Sequence, residues 1–244
     1  MIPVLRRQQL LELLPESEVV LLTDLIEKVN ISESTLRRDL KELELQGDIE
    51  MLRGGGVRLK KEVVELDLNE KISLNKEEKE RIVQYAANLI NPNDVVFLDP
   101  SSLNLLMVDY IKSENVTVVT NSIATCNKLV SRNIKCILVG GEIKVKTSSC
   151  IGPIADQILS GLRFSKSFLG ANGISVENGI TNHDLRERSI KRIAINNSVN
   201  TYFLIDSSKY EVVAMCKIAE IDECNIITGK KYNEFDKLEN IIVV

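Results

Sequence analysis

The chain has 244 residues, 44% of them hydrophobic, and its 31 basic and 35 acidic side chains give a net charge of −4. This length allows two domains and a large core, and no apolar run approaches the roughly 20 residues that cross a membrane. The negative net charge argues against a protein that binds nucleic acid nonspecifically through bulk positive charge. We therefore expect a globular protein without a membrane partner.

The N-terminal residues contain no apolar signal segment followed by a small-residue cleavage site, which predicts a cytoplasmic protein. The five cysteines are odd in number and none has C-x-x-C spacing, so free, mostly buried thiols are expected. His183 is the only histidine and no metal site is predicted. The glycines lack the G-x-G-x-x-G spacing of a dinucleotide site, and no cofactor is predicted.

The first 47 residues predict three helices. Residues 3–14 form the first, residues 19–22 follow as a short strand or a loop, and residues 23–30 form a short amphipathic helix. Ser32 then begins a further helix as its N-cap, and Gly47 ends it. The short connection between the last two helices is what a helix-turn-helix requires.

The helix after Ser32 carries an apolar face and a basic face. A turn of about 100° per residue places Leu36, Leu40 and Leu43 on one buried stripe. The same geometry places basic side chains and a hydroxyl on another face. This face lies in the N-terminal half of the helix, which is the part of a recognition helix that contacts DNA. An ordinary solvated helix could also carry such charges. The predicted DNA contacts are Ser34, Arg37, Arg38 and Lys41 on this face, with Ser32 and Thr35 beside it.

The segment after this helix favours the DNA-binding interpretation. Residues 48–53 and 57–59 flank three glycines and predict a hairpin. A hairpin in this position is a wing, and Arg53 and Arg58 lie where a wing can reach phosphates. Residues 1–59 are therefore predicted to be a winged helix-turn-helix domain. Because one short helix reads few base pairs, we expect a homodimer or homotetramer on double-stranded operator DNA.

Three motifs follow one another with fixed spacing in roughly residues 1–60: Ser32-x-x-Thr35-Leu-Arg37-Arg38-Asp39-Leu40, Leu43-x-x-x-Gly47 and Arg53-Gly-Gly-Gly56. Together they resemble the N-terminal signature of the DeoR family of bacterial transcriptional regulators. This signature is much more specific than a generic helix-turn-helix.

Residues 60–76 predict a charged linker with partial helical or extended structure. From residue 77 onward, short β-rich runs alternate with helical segments, as in a mostly parallel sheet covered on both faces. The fold class is therefore α/β, with residues 77–244 as a second domain. The predicted strands are 95–98, 116–119, 136–139, 167–170, 202–205, 226–227 and 241–244, and the predicted helices are 77–90, 103–111, 123–130, 153–162 and 184–197.

Polar residues and glycines collect where these strands end, which is where open α/β sheets bind ligands. Hydroxyls and backbone N–H groups suit phosphate oxygens, glycines allow close approach, and Lys209 supplies charge. Asp99, Asn121 and Asn172 suit sugar hydroxyls. Loops contain such residues in any protein, because they turn there. The candidate ligand residues are Asp99, Ser101, Ser102, Thr120, Asn121, Ser122, Gly140, Gly141, Gly170, Asn172, Gly173, Asp206 and Lys209.

Further motifs occur in a fixed order: Thr120-Asn-Ser, Gly140-Gly-Glu, Gly152-Pro, Gly170-x-x-Gly173-Ile, Gly179-Ile-Thr181, Glu187-x-x-x-Lys191-Arg192 and Asp206-Ser-Ser-Lys209. They resemble the C-terminal sensor domain of the DeoR family, which is similar in fold to ribose-5-phosphate isomerase and implies a sugar-phosphate effector. By this resemblance, the loop after the first strand and Lys209 grip phosphate. Thr120, Asn121, Gly173 and Glu187 line the pocket, and the motifs add Thr181 and Lys191.

One loop departs from the family pattern. Where the family usually has Asp-x-Gly-Thr-Thr, this chain has Asp99-Pro-Ser-Ser-Leu103. Pro100 fixes one dihedral and removes an N–H donor. If the loop required a positive φ, these residues would be strained there.

The leading hypothesis is a non-enzymatic repressor of sugar-metabolism genes that a phosphorylated sugar controls. One alternative is a sugar-phosphate isomerase-like enzyme with Glu187 as base and Lys209 as phosphate anchor. However, Glu187 and Lys191 have the i,i+4 spacing of a pair that stabilises a helix without catalysis. Another alternative, suggested by Pro100, is a constitutive DNA-binding regulator with a degenerate sensor domain.

Overall fold

The computed structural model describes residues 3–15, 19–29, 31–46, 49–52, 55–59, 68–236 and 238–244. The chain forms two compact units, Met1–Val64 and Glu65–Val244, here called the N-terminal and C-terminal units. The division falls inside the predicted linker, 60–76, and each predicted domain lies within one unit. Gly47, Arg53 and residues 60–67 lie outside the described residues, so the predictions for them are not considered further.

The N-terminal unit contains three helices and a three-stranded antiparallel sheet of order β1-β3-β2. The stripe of Leu36, Leu40 and Leu43 is 2% exposed or less and packs with Leu10 of the first helix. This arrangement is the predicted winged helix-turn-helix. Its elements are α1 Pro3–Leu13, β1 Val20–Leu21, α2 Leu22–Val29, α3 Glu33–Gln46, β2 Ile49–Leu52 and β3 Gly56–Leu59.

The C-terminal unit is built on a seven-stranded parallel sheet of order β15-β14-β12-β9-β4-β5-β6. Neighbouring residues of a strand point to opposite faces, and both faces are covered. Phe97 and Phe203 belong to one core cluster, whereas Leu98 and Leu204 belong to the other. The predicted mostly parallel α/β domain is therefore confirmed. The sheet strands are β4 Val95–Leu98, β5 Thr117–Thr120, β6 Lys135–Leu138, β9 Phe164–Leu169, β12 Ser198–Ile205, β14 Asn225–Thr228 and β15 Ile241–Val243.

Among the described residues, six helices accompany this sheet, and the first of them, α4, lies inside the predicted linker. They are α4 Leu68–Ser73, α5 Lys76–Asn88, α6 Ser102–Met107, α7 Ile123–Ser131, α8 Pro153–Ser160 and α9 Leu185–Asn196. Short 3-10 turns are formed by Val108–Tyr110, Val145–Thr147, Ser207–Lys209 and Asn233–Phe235.

Two small antiparallel sheets were not predicted. One is a hairpin of β7 and β8, and the other has the order β10-β11-β13. Both follow parallel strands and add loops at the carboxyl ends of the main sheet. Their strands are β7 Glu142–Lys144, β8 Ser149–Ile151, β10 Gly173–Ser175, β11 Gly179–Asn182 and β13 Cys216–Ala219.

All five cysteines are free thiols, and three of them are buried, as predicted. No helix in the described part of the chain is both long and apolar enough to cross a membrane. The same residues contain no group of three or more His, Cys, Asp or Glu side chains that could hold a metal ion.

Candidate functional site

Helix α3 begins at a cluster of hydroxyl groups. The Thr35 amide donates to Ser32 Oγ at 3.4 Å, and the Leu36 amide donates to the Ser32 carbonyl at 3.0 Å. Ser32 Oγ also lies 2.8 Å from Thr35 Oγ1 and 3.1 Å from Ser34 Oγ. Ser32 is therefore the N-cap that the sequence predicted. Its bonds fix the first turn of α3, where a recognition helix meets base edges.

Arginines of α1 hold two acidic residues of α3. Arg6 donates to both carboxylate oxygens of Asp39, with 3.1 Å from Nη2 to Oδ1, and Asp39 is buried. Arg7 Nη1 lies 3.8 Å from Glu42 Oε2. These acids therefore face the protein's own first helix, and their negative charge is opposed by its arginines.

Another side of α3 is cationic and open to solvent. Ser34, Arg37, Arg38 and Lys41 are all exposed. Arg37 forms an i,i+4 ion pair with Glu33, with 2.7 Å from Nη2 to Oε1. Within the described part of the chain, Arg38 and Lys41 have no acidic partner. Their full charge is therefore available to an anion outside the unit.

Arg58 in the wing, unlike Arg38 and Lys41, has an acidic partner. It lies opposite Glu50 in the β2–β3 register, and its Nε donates to Glu50 Oε2 at 2.8 Å. This cross-strand pair neutralises much of the charge that Arg58 would bring to a phosphate. We therefore expect Arg58 to contribute less to an anion contact than Arg38.

The C-terminal unit has an open cleft at the carboxyl ends of β4, β9 and β12. Eight of the sixteen predicted effector residues line it: Ser101, Ser102, Gly170, Asn172, Glu187, Lys191, Asp206 and Lys209. The sequence missed other polar residues of the lining, namely Lys71, Lys79, Thr147, Asn182 and Ser208.

The loop after β4 has ordinary backbone geometry despite Pro100. Ser101 has φ −88° and ψ 153°, and its Oγ accepts a hydrogen bond from the Asn104 amide at 3.2 Å. Ser101 is thus the N-cap of α6. The expected strain does not arise because the loop does not use a positive φ. The loop also packs closely on the end of β9, since a Cβ at Gly170 would lie 2.5 Å from Ser101 Cβ.

Asp99 lies behind the cleft rather than in it. Its carboxylate accepts hydrogen bonds from the Ser101 amide at 3.1 Å, the Gly170 amide at 2.8 Å and Asn104 Nδ2 at 2.7 Å. It also forms a buried ion pair with Lys191. The expectation that Asp99 holds a sugar hydroxyl therefore does not fit the structure, because protein donors occupy this carboxylate. Asp99 instead joins two loops and places Lys191 at the cleft.

Three other predicted effector residues, at the end of β5, are buried outside the cleft lining. Asn121 Nδ2 donates to the Cys150 carbonyl at 2.9 Å. Ser122 Oγ accepts from the Thr125 amide at 3.1 Å and caps α7, while Thr120 Oγ1 accepts from the Ser122 amide at 3.0 Å. In the structure, these residues attach β8 and start α7.

The remaining four predicted effector residues also lie outside the cleft lining. A Cβ at Gly141 would be 2.7 Å from the Ile151 carbonyl oxygen, and one at Gly173 would be 1.9 Å from that of Val212. The Ala214 amide donates to Thr181 Oγ1 at 3.0 Å. These three positions serve close packing of the small antiparallel sheets. At the fourth, Gly140, a Cβ would meet no atom within 4 Å.

Glu187 is a buried acceptor held by three donors. Lys144 Nζ donates at 2.9 Å, Thr147 Oγ1 at 3.2 Å and Asn182 Nδ2 at 2.8 Å. Burial raises the pKa of this carboxyl, but the charge of Lys191 and the bonds from Asn182 and Lys144 outweigh burial and lower the pKa below its ordinary value. An ionised carboxylate with a lowered pKa is a poor general base.

Lys79 of α5 is a buried cation that the sequence analysis missed. It is 2% exposed, lines the cleft and lies with its Nζ 3.9 Å from Asp206 Oδ2. Its Nζ also donates to the Lys71 carbonyl. Burial lowers the pKa of Lys79, and the charge of Lys209 lowers it further, whereas Asp206 raises it. An anion beside Lys79 and Lys209 would relieve this repulsion.

The charge balance of the lining favours an anionic ligand. Four lysines line the cleft, whereas only Glu187 and Asp206 supply carboxylates among the described lining residues. Clefts lined by one sign of charge concentrate ligands of the opposite sign. The lining therefore suits a ligand that joins an anionic group to hydroxyls.

Both units match known families. Residues 6–62 match the DeoR-like helix-turn-helix domain, and residues 74–230 match the DeoR C terminal sensor domain. An uncharacterized HTH-type transcriptional regulator, FruR, of Bacillus subtilis (strain 168) is 35% identical over 91% of this chain and 89% of that protein. The lactose phosphotransferase system repressor of Staphylococcus epidermidis is 30% identical, over 97% and 95% of the two chains.

Among solved structures, the match to ribose 5-phosphate isomerase A from Methanocaldococcus jannaschii covers 56% of this chain and 55% of that protein, with 15% identity and a TM-score of 0.42.

Proposed function

Because this chain belongs to the DeoR family of transcriptional regulators, we propose that it represses sugar-metabolism genes and that a phosphorylated sugar controls its binding to operator DNA. The observation that carries the proposal is the cationic, exposed side of α3, together with the pairing of Asp39 and Glu42 with arginines of α1. The name of one relative, a lactose phosphotransferase system repressor, supports a sugar-related role.

In the DNA complex, Arg38 and Lys41 make the main contacts of α3 with phosphates and base edges. Ser34 lies near the bases, while Ser32 and Thr35 shape the first turn that approaches them. Arg37 and Arg58 make weaker contacts, because Glu33 and Glu50 neutralise them. The protein binds as a homodimer or homotetramer, since one helix reads too few base pairs for a specific site.

In the cleft, Lys79 and Lys209 take the phosphate, while Asn172 holds sugar hydroxyls. The support for this assignment is that Lys79 and Lys209 both line the cleft, where the charge of Lys209 lowers the pKa of the buried Lys79. To switch the protein fully, the effector must prefer one DNA-binding state by about 5.5 kcal/mol.

The cleft binds its ligand without turnover. An isomerase needs a base that removes a proton from carbon, and the lowered pKa of Glu187 makes it unsuited to that task. Incubation with pentose and hexose phosphates, followed by analysis of the sugars, tests this statement. Conversion that Glu187→Gln abolishes would identify an enzyme instead.

The central experiment is a thermal-shift panel of sugar monophosphates, run with and without operator DNA selected from random duplexes. At about 100 times its Kd, a ligand stabilises the folded state by about 2.7 kcal/mol, which predicts a rise in Tm of about 5–10 °C. The same ligand should weaken operator binding. Lys209→Ala should abolish both effects, whereas Lys112→Ala, a change at an exposed lysine outside the cleft lining, should preserve them.

Two other results have clear meanings. Operator binding without any shift in the panel would identify a constitutive regulator and refute the sensor part of the proposal. A ligand shift that Lys209→Ala leaves intact would refute the phosphate assignment.

A further inference from the structure

Helix α4 is attached to the cleft at its C-terminal end. Asn75, in the turn between α4 and α5, has a left-handed backbone with φ 52°, and its Nδ2 donates to Asp206 Oδ1 at 3.0 Å. Lys79 Nζ donates to the carbonyl of Lys71 in α4. Lys71 and Leu74 themselves line the cleft. A ligand there therefore meets the end of α4 as well as the ends of the sheet strands.

Helix α4 lies near the start of the C-terminal unit and is only partly buried. It is the first described element of the C-terminal unit, and the N-terminal unit ends only a few residues earlier, at Val64. The helix is also short, with six residues, and its apolar residues Leu68 and Ile72 are only half-buried. Segments with few buried apolar contacts open at low cost in free energy. One charged hydrogen bond is then a sizeable part of what holds α4 in place.

Lys79 can donate to two acceptors of different strength, the Lys71 carbonyl and a phosphate in the cleft. Its ammonium group has three donors and now serves a neutral carbonyl in α4 while lying near Asp206. Hydrogen bonds between an ammonium and a phosphate are stronger than those to a neutral carbonyl. A phosphate bound by Lys79 and Lys209 therefore attracts Lys79 Nζ more strongly than the Lys71 carbonyl does.

We propose that Lys79 couples the cleft to α4: a phosphate group bound beside Lys79 and Lys209 takes Lys79 Nζ from the Lys71 carbonyl and releases the end of α4. This inference rests on the proposed anion site and adds the residue and the segment through which that site acts. Lys79 is thus a positioning residue for α4 as well as a ligand contact.

Hydrogen exchange measured by mass spectrometry on the full-length protein tests the proposal, with inorganic phosphate as the probe. In the unsubstituted protein, phosphate should speed exchange of the α4 amides about fivefold or more, in the usual range of allosteric coupling. It should slow exchange at Ser207–Lys209, where the anion binds.

Variants then separate coupling from binding. In Lys79→Met, the α4 amides should exchange rapidly with or without phosphate, while Ser207–Lys209 still responds through Lys209. Lys79→Arg keeps both charge and donors and should restore the response of α4. Lys76→Met removes an exposed lysine from the same helix and should behave like the unsubstituted protein.

Each contrary outcome points to one error. If α4 responds to phosphate in Lys79→Met as it does without the substitution, the coupling role is wrong while the anion site stands. If phosphate protects Ser207–Lys209 but never changes α4, the coupling is again refuted. If Ser207–Lys209 does not respond in the unsubstituted protein, the anion site itself is wrong and the coupling with it. Should Lys79→Met fail to fold, a Lys79→Arg variant without any α4 response still contradicts the proposal.

Discussion

Replacing Arg38 with alanine tests the DNA-binding face most directly. Arg38 is exposed and has no acidic partner within the described residues, so the substitution breaks no internal ion pair. We therefore expect the free energy of unfolding to change by no more than about 0.5 kcal/mol. In the proposed DNA complex, the lost charge should therefore act mainly on the contact with DNA.

The size of the effect follows from the kind of contact. An arginine that reads a base is worth about 1–3 kcal/mol, and each phosphate contact adds about 0.9 to the slope of log K against log salt. Arg38→Ala should therefore weaken operator binding at least about tenfold, or 1.4 kcal/mol. Arg37→Ala should cost less, since Glu33 already neutralises much of its charge.

The assay is a gel-shift titration against the selected operator and a scrambled duplex, repeated at several salt concentrations. A smaller salt slope with unchanged specificity assigns Arg38 to a phosphate, and relaxed specificity at one base pair assigns it to a base. Arg163→Ala, at an exposed arginine of the C-terminal unit, is the matched control. Operator affinity within about twofold of the unsubstituted protein would show that α3 does not bind DNA in the manner described here.

Three further predictions concern stability. Gly170→Ala places a Cβ 2.5 Å from Ser101 Cβ and should destabilise the C-terminal unit by about 1–3 kcal/mol in urea titrations; an unchanged midpoint would contradict the close packing. Leu40→Ala removes a fully buried side chain and should destabilise the N-terminal unit by about 2–5 kcal/mol. The unit should therefore unfold at a lower temperature, and operator binding should be lost at that temperature. Burial raises the pKa of Asp184, but hydrogen bonds from Arg186 outweigh it and lower the pKa from 3.8 to about 2. Its carboxylate therefore stabilises the folded state above about pH 4 and loses this effect as the pH falls to about 2, so Asp184→Asn should flatten the urea-midpoint profile over that range.

The extent to which strands could be predicted depends on how much of each is buried. Strand β4 coincides with the predicted 95–98, because four apolar residues lie between polar ones. Strand β12 begins at Ser198, four residues before the predicted 202–205, since Val199 is 81% exposed and Asn200 is polar, so no apolar run marks its first half. The β7–β8 hairpin was missed for a related reason: its strands have three residues each, too few for a pattern.

The site was predicted only where local sequence determines it. Ser32 follows from the N-cap preference for serine, and the leucine stripe of α3 follows from helix periodicity. Asp99 was placed correctly at a strand end, but its ion pair with Lys191, 92 residues away, cannot be read from spacing. Lys79 was missed because it lies in a charged run. Yet Ile82 and Val83 follow it at helical spacing, and that signal places Lys79 on the buried face of α5.

The pairing of α3's acids with α1 also bears on how the regulator reaches its operator. With a net charge of −4, the molecule as a whole is repelled by a duplex, and beyond the roughly 8 Å Debye length at physiological salt this repulsion is largely screened. At closer range, an approach that leads with Arg38 and Lys41 is attractive, whereas one that leads with an acidic surface is repelled. Encounters in the second orientation are therefore brief. The charge distribution therefore selects the orientation in which the protein docks on DNA, before any base is contacted.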